Sequence, residues 1–169
     1  MSSSPVRHLV YLSLGSNLGD RLANLHQAIC RLPSQVEVIT ASRVYETPPW
    51  GFLNQPAFLN QVVEARTALP PSLLLEYVKG IEAEMGRMLT FRYGPRSIDI
   101  DILLYDDLQL NTPELVIPHA RLAERAFVLV PLAEMAAERV PPGMQLSVAE
   151  LAAAADQSGI HVYKPGGKA

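Results

Sequence analysis

The run Ser97-Ile98-Asp99-Ile100-Asp101-Ile102 constrains the fold of this chain more than any other stretch. Side chains on a strand alternate between its two faces. Ile98, Ile100 and Ile102 therefore bury one face, and Asp99 and Asp101 share the other. Cα atoms two residues apart on a strand lie roughly 6–7 Å from each other. Carboxylates held that close repel unless they are protonated or bridged by a cation. Hard oxygen ligands suit Mg²⁺, which keeps waters and shares sites with substrate phosphates. Taken alone, the pair is explained equally well as the solvated face of an amphipathic strand.

The rest of the chain supplies a sheet for that strand. Residues 8–14 are apolar and β-rich, and Gly15-Ser16-Asn17 breaks the run. Leu18, Leu22, Leu25 and Ile29 recur at helical spacing, which predicts a helix over about 19–32 that Pro33 stops. A second strand is expected over 36–44, a shaped loop over 47–56 and a third strand over 58–67. Pro70-Pro71-Ser72 opens a helix with Leu74, Leu75, Val78, Ile81 and Met85 on one face, and Gly86 can end it. A loop over 86–95 leads into the aspartate strand at 98–105. Residues 109–118 read as extended and irregular. Pro131 is expected to limit helix before it, leaving 132–139 helical. Ser147 and Glu150 form a capping box for a short helix, and residues 160–163 suit an edge strand. The order is β-α-β-β-α-β. It predicts an α+β fold with a ferredoxin-like βαββαβ antiparallel sheet, helices on one face and a C-terminal extension. At 169 residues this is one domain, with a core at about 6–139 and an extension over 140–169.

Charge narrows the chemistry. Arg87, Arg92 and Arg96 fall within ten residues with no acid among them, directly before the aspartates. Arginine forks match phosphate oxygens, so the pairing suits a metal-bound polyphosphate; a solvated basic loop is the plainer alternative. Yet the chain as a whole carries −3, which argues against general binding to nucleic acid or an anionic membrane. His119 adds a possible phosphate donor. Residues 15–20 lack the lysine of a P-loop and the dinucleotide glycine spacing, and read as a strand-to-helix turn capped by polar side chains. The single cysteine, Cys30, excludes an internal disulfide and is expected as a small core residue. The first five residues lack the basic and apolar parts of a signal peptide, and no apolar run is long enough to span a bilayer. A cytoplasmic monomer is the expectation.

The proline-rich stretch Thr47-Pro48-Pro49-Trp50-Gly51 leads to Gln55-Pro56-Ala57-Phe58-Leu59-Asn60. Phe58 and Asn60 share a strand face. A ring to stack on beside paired donor and acceptor groups suits a flat heterocycle with an amide edge, with Phe127 as an opposite wall. Core packing of both phenylalanines is the competing explanation.

Together these pieces resemble the 6-hydroxymethyl-7,8-dihydropterin pyrophosphokinases of folate biosynthesis. The resemblance rests on four ordered blocks: Thr47-Pro48-Pro49 with residues 55–60, Gly94-Pro95-Arg96 with residues 97–101, Pro118-His119, and Arg125-Ala126-Phe127. It runs from the Gly15 turn to about Leu132. It implies ATP as co-substrate, two Mg²⁺ ions held by Asp99 and Asp101, and loops that close over the substrates. It implies that the pterin lies between Phe58 and Phe127, with Asn60 on its edge and Thr47, Pro48, Pro49 and Trp50 nearby. Glu82, Arg87, Arg92, Arg96, Ile102, Leu115, His119 and Arg125 match positions around the nucleotide, with Arg87, Arg92 and Arg96 as catalytic cations. Leu89, Lys79, Tyr93 and Ala120 depart from the family pattern at a loop arginine, a glutamine, a tryptophan and an aromatic. The competing classes are a two-metal phosphodiesterase or nuclease and a non-catalytic nucleotide-binding module. Neither needs the Thr-Pro-Pro loop together with paired carboxylates.

Overall fold

The aspartate strand sits at one edge of an antiparallel sheet. The computed structural model describes residues 5–49, 53–86 and 97–165. Within them the sheet is built from β1 (His8–Ser16), β2 (Val36–Ala41), β3 (Tyr45–Thr47), β4 (Phe58–Thr67), β5 (Asp99–Tyr105) and β8 (His161–Val162). Its order is β5-β1-β4-β3-β8, with β2 pairing the same edge of β4 as β3. The short strands β6 (Leu110–Asn111) and β7 (Val116–Ile117) form a separate hairpin. Four α-helices are described: α1 (Arg21–Arg31), α2 (Pro71–Glu84), α3 (Ala126–Ala136) and α4 (Val148–Ala154). Among the described residues, no helix is long and apolar enough to cross a membrane.

Local chemistry sets the boundaries. The Asp20 side chain accepts the Ala23 N–H at 3.1 Å and caps α1. Pro71 starts α2, and Gly86 follows its end at φ +72°, a conformation that glycine adopts without strain. Ser147 and Glu150 make the expected reciprocal cap on α4.

The helices do not lie on one face of the sheet, as the sequence suggested. On one side, Leu12, Leu14, Val63, Ile100 and Ile102 pack with Leu25 and Ala28 of α1 and Leu74 and Val78 of α2. On the other, Tyr11, Val62, Leu103 and Leu104 pack with Val128, Leu129 and Leu132 of α3 and Val148 and Ala152 of α4. The reason is the composition of α3. Ala-Phe-Val-Leu-Val-Pro-Leu-Ala-Glu-Met-Ala is apolar nearly all round, and such a helix must be buried. The same burial explains why α3 runs through Pro131 instead of starting after it: six of its residues are buried, which outweighs one missing backbone bond.

Two further expectations need correction. The strand expected over 36–44 is two strands. A bulge lies between Val38 and Thr40, and the Ser42 hydroxyl then accepts the Val62 N–H at 3.0 Å, taking a ladder bond away from the backbone. Cys30 is exposed on α1, because Leu25 and Ala28 occupy that helix's buried face.

Candidate active site

Directly paired residues on neighbouring antiparallel strands share a face. Gly15 of β1 is paired with Asp99 of β5 on one side and with Asn60 of β4 on the other, and Asn60 is paired with Tyr45 of β3. One row across the sheet thus reads Asp99-Gly15-Asn60-Tyr45. The next row holds Asp101, Ser13 and Val62. Strands lie about 4.8 Å apart, so the backbones of Asp99 and Asn60 are about 10 Å apart. Between them Gly15 contributes no side chain of its own. A Cβ on Gly15 would lie 2.8 Å from Asn60 Oδ1 and 3.5 Å from Phe58 Cδ1, closer than the amide oxygen tolerates.

At the Asp99 end, both aspartates are half-buried and flank the fully buried Ile100. Glu82, 1 % exposed, accepts the Ile100 N–H at 2.9 Å and pairs with Lys79 Nζ at 3.0 Å. Burial raises its carboxyl to about 6; Lys79 opposes the shift and Asp99 adds to it. Arg125 Nη1 lies 3.7 Å from Asp101 Oδ2, and its guanidinium sits 5.7 Å over the Phe127 ring. Arg125 therefore ties the aspartate strand to the Phe127 ring in the first turn of α3.

Beyond the open edge of β5 is a cavity of about 290 Å³. Leu75 and Lys79 of α2 form one wall, Ile100 to Ile102 the base, and Leu115, Val116 and His119 the other wall. His119 is fixed by its own backbone N–H, which donates to Leu103 O at 3.0 Å. Its Nδ1 accepts the Arg121 N–H at 3.1 Å, so the neutral ring carries its proton on Nε2. Burial, aided by the Arg125 charge, lowers the pKa of His119 to about 4. The neutral ring is thus a hydrogen-bond donor at neutral pH, beside a mostly apolar pocket that has Lys79 and Asp101 in its lining.

At the Asn60 end the contacts are neutral. Asn60 Nδ2 donates to Thr47 Oγ1 at 2.6 Å, and both residues are buried. Phe58 and Phe127 are half-buried, so each ring keeps an accessible part. The loop before β4 is fastened from the β1–α1 turn. Asn17 Nδ2 donates to Gln55 Oε1 at 2.9 Å and to Pro56 O at 3.0 Å, and Arg21 Nη1 donates to Ala57 O at 2.9 Å.

A sheet face with two acids along one edge, a neutral amide and a ring across from them, and an adjacent apolar pocket suits a reaction joining a phosphate donor to a flat acceptor. Residues 11–137 match the family model described as 7,8-dihydro-6-hydroxymethylpterin-pyrophosphokinase. The chain belongs to the 7,8-dihydro-6-hydroxymethylpterin-pyrophosphokinase family. It is 42 % identical over 161 residues to the 2-amino-4-hydroxy-6-hydroxymethyldihydropteridine pyrophosphokinase of Bacillus subtilis, covering 94 % of this chain and 92 % of that one. With the enzyme of the same name from Methylorubrum extorquens it shares 47 % over 152 residues, covering 89 % and 95 %. Among solved structures, it resembles Plasmodium falciparum HPPK-DHPS with pteroate at a TM-score of 0.72 and 17 % identity, covering 90 % of this chain. It spans 43 % of that longer protein, so this likeness concerns the fold alone.

Within this pyrophosphokinase, Asp99, Asp101 and Arg125 converge, and Ile102, Leu115 and His119 meet at the cavity. Glu82 lies behind β5, holding its backbone. Lys79 pairs with Glu82, and Ala120 lines the cavity. Thr47, Asn60 and Phe58 gather at the far end of the row, with Pro48 and Pro49 following Thr47. Arg87, Arg92, Arg96, Leu89, Tyr93 and Trp50 lie outside the described residues. Sequence reasoning missed Gly15, Asn17 and Arg21 as site-builders. Their signal was the Gly15-Ser16-Asn17 turn, which is indeed a capped strand-to-helix turn and also anchors the loop.

Proposed function

We propose that the Asp99 end of the row holds the triphosphate of ATP, the cavity beside β5 holds its adenosine, and the Asn60 end holds 6-hydroxymethyl-7,8-dihydropterin. The chain is a pyrophosphokinase of folate biosynthesis. The observation that carries this assignment of ends is the pairing of Gly15 with both Asp99 and Asn60. It sets two chemically different subsites about 10 Å apart on one face, with a glycine as the residue between them. The strand order supports a ferredoxin-like reading: β5, β1, β4 and the β2/β3 edge stand in the 4-1-3-2 order of two interleaved βαβ units.

The donor set fits magnesium. Two carboxylates on one strand face, half-exposed and close to an arginine, offer hard oxygens and leave positions for phosphate and water. Asp99 and Asp101 would hold two Mg²⁺ ions, which supply charge neutralisation for the polyphosphate. The protein's own groups do the positioning. Asn60 presents the pterin edge, with Phe58 and Phe127 as stacking walls. Its Oδ1 lies over Gly15, on the side toward Asp99, and we place the hydroxymethyl group of the heterocycle on that side. The hydroxyl oxygen attacks the β-phosphorus and releases its proton to water, the bond from that phosphorus to the α,β-bridging oxygen breaks, and AMP leaves. The His119 Nε2–H and Arg125 donate to phosphate oxygens as charge builds on them. Arg87, Arg92 and Arg96 supply further cations.

The deciding assay is AMP formation from ATP and Mg²⁺ with and without 6-hydroxymethyl-7,8-dihydropterin. AMP should appear only when the pterin is present. Equal AMP release without it would refute this reading.

A further inference from the structure

The family match ends at residue 137, yet the chain after α4 returns to the site. β8 adds to the sheet beside β3, pairing Val162 with Tyr45 and His161 with Glu46. The Tyr163 N–H extends the contact by donating to Val44 O at 2.8 Å. β3 is only three residues long, and its last residue, Thr47, holds Asn60. So short a strand, paired to β4 on one side alone, has little to fix it; β8 pairs its other edge.

Three side-chain observations show that this contact is built. Gly159, at φ +77°, lies so close to Pro48 that a Cβ there would be 2.7 Å from Pro48 Cγ. Glu46 is shared: Arg21 Nη1 lies 2.7 Å from its Oε2, and His161 Nε2 lies 3.4 Å from its Oε1. The Arg21 guanidinium in turn sits 5.7 Å over the Tyr163 ring while donating to Ala57 O. One arginine thus links the tail, β3 and the residue before Phe58. The tail touches the loop's first leg through Pro48, and Arg21 holds its second leg.

We propose that the segment from Gly159 to Tyr163 is a positioning element for pterin, setting where Thr47 and Pro48 stand relative to Asn60 and Phe58. The inference rests on the assignment of this end of the row to pterin. It acts through Thr47 and Pro48, and the cavity beside β5 is lined by other parts of the chain. Its signature is therefore a loss confined to one substrate.

The test uses full-length Gly159→Val, Tyr163→Ala and Tyr163→Phe, with Asn60→Ala as the reference for the pterin assignment. Calorimetry measures the affinity for 6-hydroxymethyl-7,8-dihydropterin and for ATP separately, and steady-state kinetics gives the KM for each. Gly159→Val and Tyr163→Ala should weaken pterin about tenfold and leave ATP within about twofold, while Tyr163→Phe, which keeps the ring, should match the parent. Should Gly159→Val fail to fold, Tyr163→Ala decides alone. Parental pterin affinity in the tail variants, with pterin lost in Asn60→Ala, would overturn the positioning role and spare the pterin assignment. Equal losses for both substrates would also overturn it, marking the tail as general stability. An Asn60→Ala variant that binds pterin normally would remove the assignment and this inference with it.

Discussion

The two ends of the Asp99-Gly15-Asn60 row work by different physics. Around Asp99 the neighbours are charged: Asp101, Glu82, Lys79 and Arg125 lie within one connected set of ion pairs and shifted groups. Around Asn60 they are neutral: a hydroxyl, backbone carbonyls, amides and the Phe58 ring. The charged pair at that end, Arg21 with Glu46, fastens the loop and does not belong to the row. A charged end contributes most where charge develops, which is in the transition state. A neutral end contributes through shape and matched hydrogen bonds, which act on the bound substrate as much as on the transition state. Damage to the first should therefore appear in kcat, and damage to the second in pterin affinity.

The largest effect tests the charged end. Asp99→Ala and Asp101→Ala should each lower kcat by on the order of a thousandfold or more, since several kcal/mol of charge compensation is lost. The fold and pterin binding should survive, because neither side chain is part of a buried core cluster. Rapid-quench measurement of AMP settles it, and near-parental rates in folded variants would break the comparison at its root. Next are the arginines. Arg87→Ala and Arg92→Ala should each lower kcat by about ten- to a hundredfold, the equivalent of one charge-assisted hydrogen bond of roughly 1.5–3 kcal/mol made in the transition state. Single-turnover kinetics at saturating substrates is the measurement. Parental rates in both variants would mean that the loop is a solvated connection.

The neutral end should give the opposite profile. Phe58→Ala and Asn60→Ala should cost roughly 1–3 kcal/mol of pterin affinity each, one by losing a stacking wall and the other by leaving a hydrogen-bonding edge unmatched. ATP affinity should hold. Calorimetry with each ligand distinguishes the cases, and equal losses for both ligands would erase the difference between the ends.

These two ends were not equally legible in the sequence. The aspartate strand was readable because period-two alternation is a local signal: Ile98, Ile100 and Ile102 are buried as the spacing demanded, and the strand begins within a residue of its expected start. The capping box of α4 and the β4 strand were equally local. What sequence could not give was the register. That Gly15 stands between Asp99 and Asn60 depends on how three strands separated by dozens of residues slide past one another. The errors share that origin. Pro131 reads as a helix breaker until the burial around α3 is known, and Cys30 reads as core until the helix is seen to present Leu25 and Ala28 inward. Likewise residues 160–163 suggested an edge strand, but nothing local said that the strand would pair with β3 beside the loop.

The smallest effect we expect is also the most specific to the charged end, and it concerns pH. The His119 pKa falls from its ordinary 6.5 to about 4 in the folded protein. As pH drops below 6.5 the unfolded chain takes up a proton that the folded one refuses, so this residue alone makes stability fall from pH 6.5 toward 4. Glu82 moves the other way, from 4.5 to about 6. Between those values the folded chain keeps a proton that the unfolded one has released, so Glu82 alone makes stability fall as pH rises from 4.5 to 6. The two slopes oppose each other over the same interval and largely cancel. Removing one should expose the other. Relative to the parent, Glu82→Gln, whose amide oxygen can still accept the Ile100 N–H, should lose on the order of 1–2 kcal/mol as pH is lowered from 6 to 4.5. His119→Gln should gain a similar amount over the same range, and Asn60→Ala, at the neutral end, should differ from the parent by a constant. Urea unfolding of all four proteins, with a chelator present so that the aspartates stay metal-free, gives each difference directly, since groups common to parent and variant subtract out. If the Glu82→Gln and His119→Gln curves run parallel to the parent, the opposed titrations are absent, and the electrical distinction between the two ends is confined to catalysis.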